Sequence, residues 1–287
     1  MTPEKLKKLE EIASRIRIKT IKMLAGTTGH VGGSMSIAEM LAVLYFHEMK
    51  VDPSNPRFAG RDRFVLSKGH GCPALYSALS ELGYIPEETL WTLHKMDSPL
   101  QGHPDMRMCP GIEMSTGALG QGISTAVGMA LGAGMRKSGV RVYSIVGCAE
   151  CHEGQVWEAA MCAAKYGLHN LVVFVDFNKF ALSETTQHVM PIDPLPQKWA
   201  SFGWHTMEVD GHDIGKIAAA LDEARNIKGK PTAIIAHTIK AHKVSCWVGK
   251  WQCHSVTLTA DQVRRTLAEM GCGSQEIDDT VVRMEQR

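Results

Sequence analysis

Short apolar runs, each too brief for a membrane span or a long helix, recur along this chain and are separated by stretches with helical periodicity. The clearest occupy residues 64–67, 142–146, 171–176 and 232–237, and a fifth lies at residues 205–209. Runs of this length and composition read as parallel strands buried on both faces. Between them lie helical stretches at 120–137, 153–166 and 214–226, with a last one at 260–270. Strands alternating with helices predict an α/β fold, a doubly wound parallel sheet with helices on both faces. Ligands of such sheets sit beyond the carboxyl ends of the strands.

The amino-terminal part reads as helix. Pro3 suits the first turn of a helix over 3–24, whose Leu6, Leu9, Ala13, Ile16 and Met23 share a face. A second helix is expected over 36–49 with Ser36 as its N-cap. At 287 residues with 44% apolar composition, the chain is long enough for one large α/β domain over 1–287. A formal net charge of +1, with no long charged run, argues against nucleic acid or a membrane surface as the main partner. Residues 1–17 lack an apolar signal core, so the eight cysteines read as reduced thiols and the expected compartment is cytoplasmic.

The chemistry-bearing segments fall where the fold predicts. Val142–Val146 runs into Gly147-Cys148-Ala149-Glu150, and Glu153-Gly154-Gln155 opens the next helix. Small residues there let backbone N–H groups approach a phosphate at the positive end of a helix. About thirty residues later, Val175-Asp176-Phe177-Asn178 ends another strand. Two such strand ends could share a hard cation that bridges a diphosphate. Gly29-His30-Val31-Gly32-Gly33, Ser67-Lys68-Gly69-His70, Gly102-His103-Pro104 and Ser115-Thr116-Gly117-Ala118-Leu119-Gly120 couple His or Ser/Thr to glycine. A lone histidine is more often a satisfied structural residue than a ligand. Three Gly-His pairs on loops shift that balance toward a site.

On these motifs the chain resembles the diphosphate-binding half of the transketolase family, from about Gly26 to Gly271. The resemblance implies thiamine diphosphate as cofactor, with Mg2+ or another divalent cation. It implies cofactor contacts from His70, Gly117, Ala118, Leu119, Gly147, Ala149, Glu150, Asn178 and His254. It places His30, His103, His254 and Glu153 as catalytic groups, the histidines at the substrate and Glu153 matching a family carboxylate near the subunit interface. Asn178, the Phe180 carbonyl and position 148 would hold the metal. The implied reaction transfers a two-carbon unit from a ketose to an aldose, the cofactor acting as electron sink and the histidines as proton relays. The family's pyrimidine-binding domain finds no room within 287 residues. The expectation is therefore a two-chain enzyme: a carboxyl-terminal partner subunit, self-association into a heterotetramer, and sugar substrates.

Two departures keep alternatives open. Cys148 stands where the family has a metal-binding aspartate, and Ala149 replaces a glycine. A thiol is a poor magnesium ligand. The metal could be gripped more weakly, a softer ion could replace it, or the chain could be a non-catalytic subunit that binds the cofactor. The other alternative is a related carboligase with a non-sugar donor. Cys148-Ala149-Glu150-Cys151-His152 also spells a haem-attachment pattern, and Cys246, Cys253 and His254 could form a zinc site. The Trp247–Trp251 stretch suggests a partner surface.

Overall fold

All five apolar runs become strands of one parallel sheet in a computed structural model that describes residues 1–287. Strand β1 is Thr28–Gly29, β2 Arg63–Leu66, β3 Val142–Gly147, β4 Leu171–Phe177, β5 His205–Asp210, β6 Thr232–His237 and β7 Val256–Thr257. The large sheet has the order β2-β3-β4-β6-β5, every pair parallel. β1 and β7 form a separate antiparallel ribbon, with Gly29 opposite Val256.

The helices are α1 (Pro3–Leu24), α2 (Val31–Met35), α3 (Ala38–Val43), α4 (Cys72–Leu82), α5 (Gln121–Met135) and α6 (Gly154–Lys165). They continue as α7 (Thr186–Val189), α8 (Leu195–Ser201), α9 (Ile214–Asn226), α10 (Ala260–Glu269) and α11 (Ser274–Glu285). Because side chains alternate along a strand, each central strand feeds two cores. Phe64, Tyr143, Ile145, Val172, Phe174 and Ile234 enter the larger, with α1, α3, α4 and α9. Val65, Val142, Val146, Val173, Val175 and Ile235 enter the smaller, with α5, α6 and α8. Helices therefore cover both faces, as expected.

The region expected as one helix over 36–49 is built differently. α2 ends at Met35, α3 starts at Ala38 with Ile37 at its cap, and residues Leu44–Glu48 continue it with wider π-type bonding. Ser36 is not an N-cap; it stands instead at the C-cap of α2. Its hydroxyl is fully buried and donates to the Asp176 carboxylate at 2.8 Å. Sequence reasoning also left α4 and α11 unread. α4 starts with Pro73 in its first turn and ends at Gly83, where φ is +96°, a conformation that favours glycine. No helix is long and apolar enough to cross a membrane.

Candidate active site

The loops after β2, β3, β4 and β6 meet at the carboxyl edge of the sheet and enclose a cavity of about 250 Å3. One wall is histidine. The His30 ring lies 5.3 Å from His254, 5.5 Å from His70 and 5.8 Å from His103, and His70 lies 5.1 Å from His254. The β1–β7 ribbon sets the closest of the His30 contacts. It joins the residues before His30 to those after His254, with the Thr28 and Thr257 hydroxyls 2.6 Å apart. Burial, followed by nearby positive charge, pulls His30 and His254 down from 6.5 to about 4. Burial likewise holds His70 and His103 below the ordinary value. The rings are therefore neutral near pH 7, each with one nitrogen that accepts and one that donates.

The floor is a buried charge network. Asp176, the penultimate residue of β4, is wholly buried. Its Oδ2 accepts from Lys68 Nζ at 2.5 Å, Ser36 Oγ at 2.8 Å and Asn178 Nδ2 at 2.9 Å, while Thr238 donates to Oδ1. Burial raises the Asp176 carboxyl, but the Lys68 ammonium and these hydrogen bonds outweigh it, and the net displacement is downward. Lys68 also donates to the Gly33 carbonyl at 2.8 Å. Since the Asn178 amide nitrogen is committed to Asp176, its Oδ1 must face the other way. There it accepts from the Phe180 N–H at 3.0 Å and faces the Cys148 sulfur at 3.9 Å.

Glu150 ties the remaining loops. Its Oε1 accepts from Ser67 Oγ at 2.5 Å and Gly120 N–H at 2.8 Å, and its Oε2 from Gly147 N–H at 2.9 Å. Burial pushes this carboxyl up despite those donors. Lys240, from the loop after β6, completes the wall. It is 2% exposed, donates to the Ala181 carbonyl at 3.0 Å and lies over the Phe180 ring.

Of the residues singled out from sequence, His30, His70, His103, His254, Gly117, Leu119, Gly147, Cys148, Ala149, Glu150, Asn178 and Phe180 all line this cavity. Ala118 and Glu153 do not, and Glu153 is exposed at the cap of α6. Lys68, Asp176 and Lys240 were not picked as site residues. A lysine directly before a Gly-His pair at a strand end was the available signal.

The cavity suits an anionic cofactor carrying an aromatic ring. Four imidazoles and the Lys240 ammonium share the lining, and small residues leave room beside them. A Cβ on Gly33 would come within 3.0 Å of the His70 ring, and one on Gly117 within 3.2 Å of His103. Thiamine diphosphate therefore fits the residues present. Magnesium does not fit the donor set, because position 148 offers a buried thiol raised to about 11, first by burial and then by Asp176.

Other ligand clusters considered from sequence do not form. Cys151 is fully buried in the smaller core and His152 engages the Met190 carbonyl, which leaves no haem-attachment pair. Cys253 donates to the Lys250 carbonyl while His254 faces the cavity, and no three-ligand group forms with Cys246. Glu39, His212 and His242 do cluster. However, His212 Nε2 accepts from the Ile239 N–H at 2.9 Å, so the ring's proton sits on Nδ1 and is shared with Glu39 at 3.2 Å. Arg17 takes the rest of that carboxylate. This is an ion-pair knot between α1, α3 and two loops in which His212 and Glu39 are already committed to protein partners.

Comparisons with known proteins agree with this geometry. Residues 9–284 match the family model described as transketolase, thiamine diphosphate binding domain. The chain is 46% identical to 6-deoxy-6-sulfo-D-fructose transketolase subunit SqwG of Clostridium sp. (strain MSTE9), covering 91% of this chain and 96% of that one. It is 40% identical to one of the subunits of the apulose-4-phosphate transketolase of Phocaeicola vulgatus, covering 84% of this chain and 86% of that one. A transketolase structure from Pichia stipitis superposes with a TM-score of 0.88 at 30% identity, covering 97% of this chain but 44% of that one. The chain thus spans nearly all of the relatives named as subunits and under half of a one-chain transketolase. It belongs to the transketolase family and corresponds to that family's thiamine-diphosphate-binding part.

Proposed function

We propose that this chain is the cofactor-binding subunit of a two-chain transketolase that moves a two-carbon ketol unit from a ketose to an aldose. The observation that carries the proposal is the convergence of four neutral imidazoles, 5.1–5.8 Å apart, at the carboxyl edge of a parallel sheet beside a buried ammonium. Bound thiamine diphosphate supplies an electron sink for carbon–carbon cleavage. The protein's part is binding, orientation and proton handling. Lys240, the Gly117–Leu119 backbone and the Gly147–Ala149 turn would receive the diphosphate. His30, His103 and His254, neutral at pH 7, can accept a proton from a sugar hydroxyl at one nitrogen and donate at the other. His70 and Asn178 would orient the cofactor. Glu153, on the outer rim, suits contact with another subunit.

The pyrimidine-binding domain would be contributed by a separate carboxyl-terminal partner, with self-association completing a heterotetramer in the cytoplasm. The relatives named as subunits act, by their names, on 6-deoxy-6-sulfo-D-fructose and on apulose-4-phosphate. A ketose donor with a terminal anionic group is the matching substrate class here.

The test is reconstitution with the partner subunit, thiamine diphosphate and a panel of divalent cations. Sulfonated and phosphorylated ketoses would be offered with a short aldose phosphate. Two-carbon transfer, measured by product mass, is expected only when both subunits are present. Transfer from no ketose under any cation would overturn the proposal, and activity restricted to non-sugar donors would identify a carboligase instead.

A further inference from the structure

We infer that the cation holding the diphosphate in this chain is thiophilic, such as zinc or cobalt(II), and that the Cys148 sulfur is one of its ligands. The inference starts from the mismatch between magnesium, which takes an octahedron of oxygens, and the donors at this corner of the cavity.

Three atoms there can serve as ligands. Parallel pairing sets Gly147 beside Asp176, so residues 148 and 178 leave the sheet from neighbouring strands. Cys148 Sγ and Asn178 Oδ1 lie 3.9 Å apart at the cavity wall. Zn–S and Zn–O bonds of about 2.3 and about 2.1 Å would separate two ligands of a tetrahedral ion by roughly 3.6 Å. A few tenths of an ångström of side-chain adjustment closes the gap.

The Asn178 carbonyl oxygen is held in this direction because its amide nitrogen is bound to Asp176. Its protein donors are the Phe180 N–H and the Cys148 thiol, and loss of the thiol proton on ligation frees the second lone pair. The third donor is the Phe180 carbonyl. Phe180 pairs with Thr185 in a bridge whose hydrogen bonds are made by the flanking residues Lys179 and Ala181. That pattern leaves the Phe180 carbonyl without an intramolecular donor. One sulfur and two amide-type oxygens, with diphosphate oxygens filling the remaining positions, form a set that zinc, cobalt(II) or cadmium accepts readily and magnesium does not.

The rest of the pocket leaves the cation room to act. Lys68 is already neutralised by Asp176, and the single Lys240 ammonium does not balance a diphosphate, so further positive charge is needed at this corner. Ligation releases the thiol proton to solvent, so binding should be accompanied by proton uptake by the buffer.

The full chain is titrated with cobalt(II) in the presence of inorganic diphosphate. A thiolate ligand gives a near-ultraviolet charge-transfer band that oxygen ligands do not. The band is expected in the wild type and absent from Cys148→Ser. In equilibrium dialysis, thiamine diphosphate should be retained about tenfold or more tightly with zinc than with equal free magnesium. Cys148→Asp, a second variant in case the serine chain folds poorly, should reverse that order. The absence of a Cys148-dependent band overturns the inference, as does equal magnesium-supported retention by the wild type and Cys148→Asp. The inference rests on the cofactor reading of this cavity. Retention with magnesium as good as with zinc would leave that reading intact while sinking this one, whereas no retention with any cation would sink both.

Discussion

Replacing Lys68 by methionine removes the ammonium from a wholly buried carboxylate and leaves the shape of the side chain nearly unchanged. Lys68 and Asp176 are 1% and 0% exposed, with Nζ 2.5 Å from Oδ2. At that separation an effective dielectric of about 20 gives a gross attraction of roughly 6–7 kcal/mol. Desolvation of two ions offsets most of it, and the measurable quantity is the cost of leaving one charge alone. Breaking a buried pair by removing one partner costs about 3–5 kcal/mol. Here the orphaned carboxylate keeps three donors, Ser36, Asn178 and Thr238, which places the expectation at the lower end, about 3 kcal/mol.

The assay is urea unfolding of the full chain at pH 7.5 for Lys68→Met, Asp176→Asn and the double variant. Each single change should be strongly destabilising. The double should be milder than the sum by about 2 kcal/mol or more, because the groups form one network. Asp176 is held below its ordinary range, so its stabilising contribution is present above that range and is lost as pH falls through the folded value. The Lys68→Met deficit should therefore shrink in mildly acidic buffer, where the orphaned carboxyl takes up a proton. A deficit under about 1 kcal/mol, or strict additivity in the cycle, would refute the assignment of this pair as the buried charge centre of the site.

Further expectations bear on the loops and the histidines. Glu150→Ala strips the acceptor from the Ser67 hydroxyl and from two backbone N–H groups, and calorimetry should show a loss of about 3 kcal/mol, partly recovered in Glu150→Gln. Gly33→Ala puts a Cβ within 3.0 Å of the His70 ring, so fluorescence titration should show thiamine diphosphate affinity falling about tenfold or more while unfolding free energy drops by about 1–3 kcal/mol. Unchanged affinity there would mean that His70 is not a cofactor contact. His30 and His254 are held to about 4 from 6.5, so unfolding takes up protons between those values and stability falls as pH drops through that window. Because both rings are only partly buried, the combined effect is expected at about 2 kcal/mol, and thermal melts that do not change between pH 7 and pH 4.5 would contradict it.

Much of this fold was legible because its central strands are buried on both faces. Unbroken aliphatic runs such as Leu171–Phe177 have few other readings in a chain without membrane spans. Edges were harder. β5 is partly exposed along its length, and its run was correspondingly weaker in the sequence. α11 went unread because only Ile277, Thr280 and Val281 are buried on it. Ser36 carried every local sign of a helix cap, but Asp176, 140 residues later, claimed its hydroxyl. His30, His70 and His103 were found because a glycine precedes each, whereas His254 came only through the family resemblance. The Lys68–Asp176 pair was not found, because no local pattern joins residues 108 apart in sequence.

The two-residue ribbon of β1 and β7 has a consequence for how such an enzyme can change. His30 and His254 belong to opposite ends of the chain, yet their spacing is set by one short clasp outside the main sheet. Insertions in the sheet's loops, or a resized strand, would leave that clasp untouched. The turns after β3 and β4, at the other side of the cavity, are not part of that clasp. Lineages are thus free to alter the residues at those turns, position 148 among them, without retuning the pair of imidazoles that would meet the sugar.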